Sequence, residues 1–201
     1  MRIRTYLRTT LVKFLLIGLF ILPACSATAR LTQSTVVAAT ISPVHTIATP
    51  IRTKPDWFNI KMTDVRTGQT FSMTDFSGKV VLLETMAAWC GTCLLQQREV
   101  KKLEGLTGNS KDLIHVSLDT DFNEDASTLK EYIDTYSFDW YFAVSPLEVD
   151  RALGNLYSAE FMNPPLAPML IIDRQGGVNS LPWGLKGAIS LQKTLAPYLA
   201  Q

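Results

Sequence analysis

The sequence is short of the residues that metal centres and nucleic-acid surfaces require. Among its 201 residues only His45 and His115 are histidine, and only Cys25, Cys90 and Cys93 are cysteine. A structural zinc site takes four nitrogen or sulfur ligands in paired spacings. One Cys-x-x-Cys with no second pair does not supply them, and His115 falls in an apolar, strand-like run where a histidine belongs to the core. Acidic residues are missing from the first 55 positions: all 18 Asp and Glu lie beyond, while seven of the 19 Lys and Arg lie before. The remainder holds 12 basic against 18 acidic residues, a net charge near −6. A mildly acidic body without a Lys/Arg cluster offers no footprint for a phosphate backbone, which excludes nucleic acid as a partner. No internal repeat is evident.

The start of the chain is basic, then apolar. Arg2, Arg4, Arg8 and Lys13 precede an uncharged run, Phe14–Leu22, and then Leu22-Pro23-Ala24-Cys25. Nine apolar residues are too few for a bilayer core of about 30 Å at about 1.5 Å per residue, so residues 1–24 are expected to be a secretory signal peptide. Residues 22–25 resemble the lipobox of bacterial lipoproteins. That resemblance implies cleavage before Cys25 and lipidation of its thiol, anchoring an exported protein at a bacterial membrane, facing the periplasm or the exterior. Ala27-Thr28-Ala29 offers an alternative cleavage site that would discard Cys25. Residues 25–54, rich in Thr, Ser, Ala and Pro without apolar periodicity, are expected to be a flexible tether. As a coil, about 25 such residues reach roughly 25 to 30 Å.

Residues 55–201 are expected to fold as one domain. The runs Trp57–Met62 and Thr70–Met73 around Arg66-Thr67-Gly68-Gln69 suit an N-terminal β-hairpin. Val80–Leu83 is a continuous apolar run of the kind buried on both faces of a sheet. Gly91–Leu106 spaces Leu94, Leu95, Val100 and Leu103 between charges as a helix does. Strand 113–118, helix 126–136, strand 141–144, helix 147–157, strand 169–173, a turn at Arg174–Gly177 and helix 190–199 follow. Alternation of strand and helix implies βαβ units and an α/β class with a mixed sheet.

The chemistry-bearing stretch is Trp89-Cys90-Gly91-Thr92-Cys93, at the junction of the apolar strand and its helix. Two cysteines three apart at a helix start share one face and can close a short disulfide ring. Unpaired backbone N–H groups and the helix dipole stabilise a thiolate at the first position. Cys90 is therefore expected to be the nucleophile and Cys93 the resolving thiol.

Together with Lys54-Pro55-Asp56-Trp57-Phe58, Asp75–Leu82, Ala88–Cys93 and Ala167-Pro168-Met169 before Ile172–Gly176, the chain resembles thioredoxins. It is more closely similar to the TlpA/ResA-like envelope thiol–disulfide oxidoreductases of the wider redoxin and AhpC/TSA-like group, some of which serve cytochrome c maturation. The resemblance covers about Pro55 to Gln201. It implies a thioredoxin fold with an N-terminal hairpin and an inserted strand–helix segment between Cys93 and Pro168. It also implies a dithiol exchanged with protein thiols and disulfides, no cofactor, and a membrane thiol carrier as electron source. Pro168 matches the cis-proline facing the disulfide; a cis X-Pro bond costs only about 0.5 to 1 kcal/mol. Glu84, six residues before Cys90, falls at the buried acid behind the second cysteine, where burial raises its pKa and lets it take the Cys93 proton. Trp89 would shield the motif, and Gly91, Thr92 and Ala167 would support it.

Three departures bear on redox direction. Gln96 stands where many relatives carry a glutamate three residues after the second cysteine, which weakens the link to cytochrome maturation. Ala167 replaces the frequent threonine or valine, and Gly-Thr separates the cysteines in place of Gly-Pro. The main expectation is a reductase of protein disulfides. The alternatives are a disulfide oxidase or isomerase, or a module holding Cu(I) on the reduced pair with help from Met86 or Met169.

Overall fold

The computed structural model describes residues 54–200. The signal peptide, Cys25 and all of the tether but Lys54 lie outside the described residues.

Two strands, β1 (Met62–Thr63) and β2 (Thr70–Phe71), pair antiparallel as the expected hairpin. They are shorter than the sequence suggests. Trp57 and Phe58, expected to open the first strand, instead lie in a 3₁₀ turn, Asp56–Asn59, which starts where Phe58 N–H donates to Pro55 O at 3.0 Å. That turn drives both aromatic rings into the core, which an alternating strand would not do for adjacent residues. The hairpin turn closes on Asp64, whose carbonyl accepts from the N–H groups of Thr67 and Gly68 at 3.2 and 2.7 Å; Gly68 supplies the left-handed φ of 73°.

The main sheet is built on β3 (Val80–Met86), all seven of whose residues are buried. It pairs in parallel with β4 (Leu113–Asp119) and antiparallel with β6 (Met169–Ile172). β5 (Tyr141–Val144) lies parallel to β4 at one edge, and β7 (Val178–Ser180), not anticipated from the sequence, lies antiparallel to β6 at the other. The order β5-β4-β3-β6-β7 makes the sheet mixed, as expected. Four helices complete the fold: α1 (Gly91–Leu106), α2 (Ala126–Tyr136), α3 (Leu147–Leu156) and α4 (Ala188–Leu199).

Because side chains alternate along a strand, β3 divides its residues between two cores. Val80, Leu82 and Met86 join Val100 and Leu103 of α1, Leu129 and Ile133 of α2, and Leu191 and Leu195 of α4. Val81 and Leu83 join Trp57, Phe58 and Phe76 from the N-terminal segment and Val149 and Leu153 of α3. Cys90 and Cys93 belong to the first of these cores. At the start of the domain, Lys54 Nζ donates to Ser77 Oγ at 2.9 Å, and its aliphatic stem lies against Gly176. A Cβ on Gly176 would come 2.9 Å from Lys54 Cγ, and its φ of 88° suits the turn between β6 and β7.

The β4–α2 connection is held by Asp125, whose Oδ1 accepts from the backbone N–H groups of Ser127 and Thr128 at 3.0 and 2.9 Å. Removing such an N-cap costs about 0.5 to 2 kcal/mol. Asp125→Ala is accordingly expected to lower the unfolding free energy by that amount in chemical melts, seen as a lower midpoint with the slope of the transition unchanged.

Candidate functional site

The strand-to-helix turn after β3 carries the dithiol. Cys90 N–H donates to Ala87 O at 3.0 Å, tightening the turn, and Cys90 is the N-cap of α1, its Sγ accepting from Cys93 N–H at 3.1 Å. The two sulfurs are joined as a disulfide with Cα atoms 5.2 Å apart. Gly91 and Thr92 form the first turn of the helix between them. Both cysteines are only 2% exposed. The 3₁₀ turn Pro164–Leu166 packs on the start of α1, and Pro164 O lies 3.4 Å from Cys93 Sγ.

Pro168 does not take the expected cis bond. Among the described residues no peptide bond is cis. Instead Ala167, with φ 46° and ψ 57°, reverses the chain in the left-handed region, its N–H donating to Pro164 O at 2.8 Å. The sharp change of direction falls on the residue before the proline. Pro168 is buried at the head of β6, and its carbonyl accepts from Thr85 N–H at 3.3 Å. Nor does Trp89 shield the motif: it is 62% exposed and its indole N–H donates to Asp121 Oδ2 at 2.6 Å.

Glu84 lies where the sequence places it, on the β3 face that shares a core with both cysteines, and is 4% exposed. Burial drives its pKa from 4.5 up to about 7, opposed by Ser117, Gln97 and the charge of Lys186. Ser117, directly opposite on β4, donates to Glu84 Oε1 at 2.6 Å and accepts from the Trp140 indole N–H at 2.8 Å. Gln97 in turn accepts from the Tyr132 hydroxyl.

Lys186 was not legible as a site residue. Its ammonium donates to the carbonyls of Ala167 and Gly184 at 2.8 and 2.6 Å, and burial lowers its pKa to about 8 against the pull of Glu84. It thus ties the segment beside the disulfide to the buried acid. Gln96 explains its own departure from the family pattern. Fully buried, it donates through Nε2 to Lys186 O at 3.0 Å and accepts through Oε1 from Lys186 N–H at 2.8 Å. A carboxylate can make only the second bond.

Met86 and Met169, expected as soft ligands, are fully buried in the core shared with the cysteines. His115 is buried with Nδ1 3.2 Å from Glu104 Oε1 and its ring edge-on to Trp140. Among the described residues no cluster of three or more His, Cys, Asp or Glu is arranged to hold a metal ion.

A mixed sheet between helices, with a bonded Cys-x-x-Cys at the mouth of the helix that follows its central strand, defines a thioredoxin-like oxidoreductase of the thiol–disulfide class. The chain belongs to the Redoxin family, whose model matches residues 56–181. No curated protein matches it in sequence. Solved structures of similar fold include a thiol:disulfide interchange protein of Chlorobium tepidum, at 18% identity with 70% of this chain and 92% of that chain covered and a TM-score of 0.57. A SCO1/SenC family lipoprotein of Bacillus anthracis matches at 18% identity over 70% and 92%, with a TM-score of 0.55. A secreted Mycobacterium tuberculosis disulfide oxidoreductase homologous to E. coli DsbE matches at 15% identity over 70% and 96%, with a TM-score of 0.50.

Two expectations follow. A carboxyl whose folded pKa is raised stabilises the fold fully below its unfolded value and loses that contribution as pH rises through the folded one. For Glu84 the window runs from 4.5 to about 7, a loss of about 3 kcal/mol at 1.36 kcal/mol per unit. Urea melts from pH 4 to 8 should show Glu84→Gln losing about that much of the pH-dependent fall, while Asp119, raised from 3.8 to about 8, and Asp150, raised from 3.8 to about 6, both chiefly by burial, maintain a fall of the same sign. Gln96→Glu should destabilise by about 1 to 3 kcal/mol at pH 7, because the Lys186 carbonyl loses its donor and faces a carboxylate.

Proposed function

We propose that this protein is an extracytoplasmic reductase of protein disulfides. The Cys90–Cys93 disulfide seated at the N-terminus of α1, on the core face that also buries Glu84, carries the reading. In the reduced form the Cys90 thiolate, favoured by the unpaired N–H groups of the first helical turn, attacks one sulfur of a target disulfide. The Cys90–target bond forms as the target's own S–S bond breaks, releasing one target thiolate. Cys93 then loses its proton to Glu84, whose pKa near 7 allows it to accept and return a proton at neutral pH. Its sulfur displaces the second target thiolate, leaving the target with two thiols and this chain with its disulfide. Two electrons pass to the target, and a membrane thiol carrier is the source that restores them.

The basic-apolar leader and the sequence around Cys25 support export and a lipid anchor. Cytochrome c maturation is the narrower form of this reading, and an oxidase or isomerase uses the same chemistry in reverse.

The test is a thiol-buffer titration of the full chain read by the mass of alkylated protein. A reduction potential near about −250 mV or lower supports a reductase, and one near about −150 mV or higher points to an oxidase or isomerase. Cys93→Ser, lacking the resolving thiol, should accumulate a stable mixed disulfide at Cys90 with disulfide-bonded proteins, whereas Cys90→Ser should not. Equal trapping by both variants overturns the assigned roles.

A further inference from the structure

A group of acids beside the dithiol has no part in the exchange just described. Asp119 ends β4, and Asp121 and Glu124 lie in the connection to α2. This connection is bonded to the last residue of β3 and to the turn that follows it at three points. Thr120 N–H donates to Met86 O at 3.0 Å. Glu124 Oε2 accepts from Ala88 N–H at 2.7 Å. Asp121 Oδ2 accepts the Trp89 indole N–H at 2.6 Å.

The connection is itself internally braced. Asp121 N–H donates to Asp119 Oδ1 at 3.0 Å, Glu124 N–H to Asp121 O at 3.0 Å, and Asn123 bonds Asp121 Oδ1 through both its N–H and its side-chain amide. Behind it Asp119 is 1% exposed, and its Oδ2 has no hydrogen-bond partner of good geometry in the protein. Burial, and after it the neighbouring carboxylates of Glu124 and Asp121, push the Asp119 pKa well above the usual carboxylate range.

We propose that Glu124 is a positioning residue for the dithiol: it pins the Ala88–Cys90 turn through the Ala88 N–H, and its negative charge, with that of Asp121, restrains the Cys90 thiolate. The inference rests on the redox reading of Cys90 and Cys93. Consecutive Cα atoms lie about 3.8 Å apart, so a carboxylate bonded at the residue 88 N–H is within about 14 Å of the residue 90 sulfur. At that range, in partly buried surroundings, a unit charge changes an ionisation several-fold. The other charged groups around the turn are Glu84 on β3, Lys186 before α4, and Asp150 and Arg151 of α3, which line a groove of about 600 Å³ together with Trp89 and Asp121. The first turn of α1 contributes no acidic residue. Glu124 is therefore set directly against the helix-end field that favours the thiolate.

The experiment uses the reduced full chain and follows carboxamidomethylation of Cys90 by iodoacetamide from pH 5 to 9, together with thermal melting. Glu124→Gln keeps a side-chain oxygen for the Ala88 N–H and removes the charge. Its Cys90 alkylation rate at pH 7 is expected to rise about three- to tenfold, with the pH profile displaced downward and the melt close to wild type. Glu124→Ala is expected to show the displaced profile and a lower melting temperature. Asp121→Asn, which retains an acceptor for the Trp89 indole, should shift the profile the same way if Glu124→Gln folds poorly. Profiles of the two amide variants that superimpose on wild type, or move upward, overturn the proposal. A wild-type pair that fails to cycle reversibly in thiol buffers refutes the redox reading and this proposal together. A cycling wild type with superimposed profiles refutes this proposal alone.

Discussion

Glu84 is a carboxyl group removed from water in the middle of a strand buried on both faces, and much of the surrounding structure answers that burial. An ionised carboxylate in such a place needs donors, and a neutral one needs a pKa near or above ambient pH. The site supplies both in part. Ser117 donates from the neighbouring strand and is held in turn by Trp140, while Gln97 reaches the same acid from α1 with Tyr132 behind it. Lys186 adds a partly desolvated ammonium from the segment before α4. Elements distant in sequence are thereby committed to one point, and that point shares its core with the sulfurs.

The same Lys186 links this centre to the rim of the site. Its ammonium grips the carbonyl of Ala167, its own peptide is held on both sides by the Gln96 amide, and Ala167 closes the turn that covers the cysteines. The disulfide is consequently recessed, with a proline carbonyl over one sulfur. Thiol exchange requires a sulfur to be approached in line with the bond it breaks. The Pro164–Leu166 turn thus bounds the approach to the sulfurs, and Lys186, bonded to the Ala167 carbonyl beside it, couples it by charge to buried Glu84.

Most of the α/β framework was readable from local pattern. The continuous apolar run at Val80–Leu83 and the helical spacing of 91–106 each marked an element of the fold; the whole run is buried, as are Val100 and Leu103 of the helix, while Leu95 is exposed. Helix 126–136 and strand 141–144 have the limits the pattern gives them. What escaped was set by tertiary contact. The strand Val178–Ser180 is three residues long and has too little alternation to show a period. Trp57 and Phe58 looked like strand residues because aromatic residues favour strands, but a turn started by Pro55 allows both rings to be buried at once. At the site, the spacing of Cys90 and Cys93 and the placement of Glu84 were legible, since each depends on one strand and one helix. Lys186 and the Asp119–Glu124 group were not, because their roles arise only when distant loops are brought against the motif. Gln96 read as the loss of a tuning charge, and in the fold it is a two-point amide clamp that glutamate cannot reproduce.

The position of Lys54 gives the domain a direction. Lys54 lies against Gly176 and bonds Ser77, both at the end of the sheet where β3 begins, whereas Cys90 follows the end where β3 finishes. Seven extended residues at about 3.3 Å each separate these two poles by roughly 20 Å. The chain therefore enters the domain at the pole opposite the dithiol, so the segment that leads in and the sulfurs that react do not compete for the same surface.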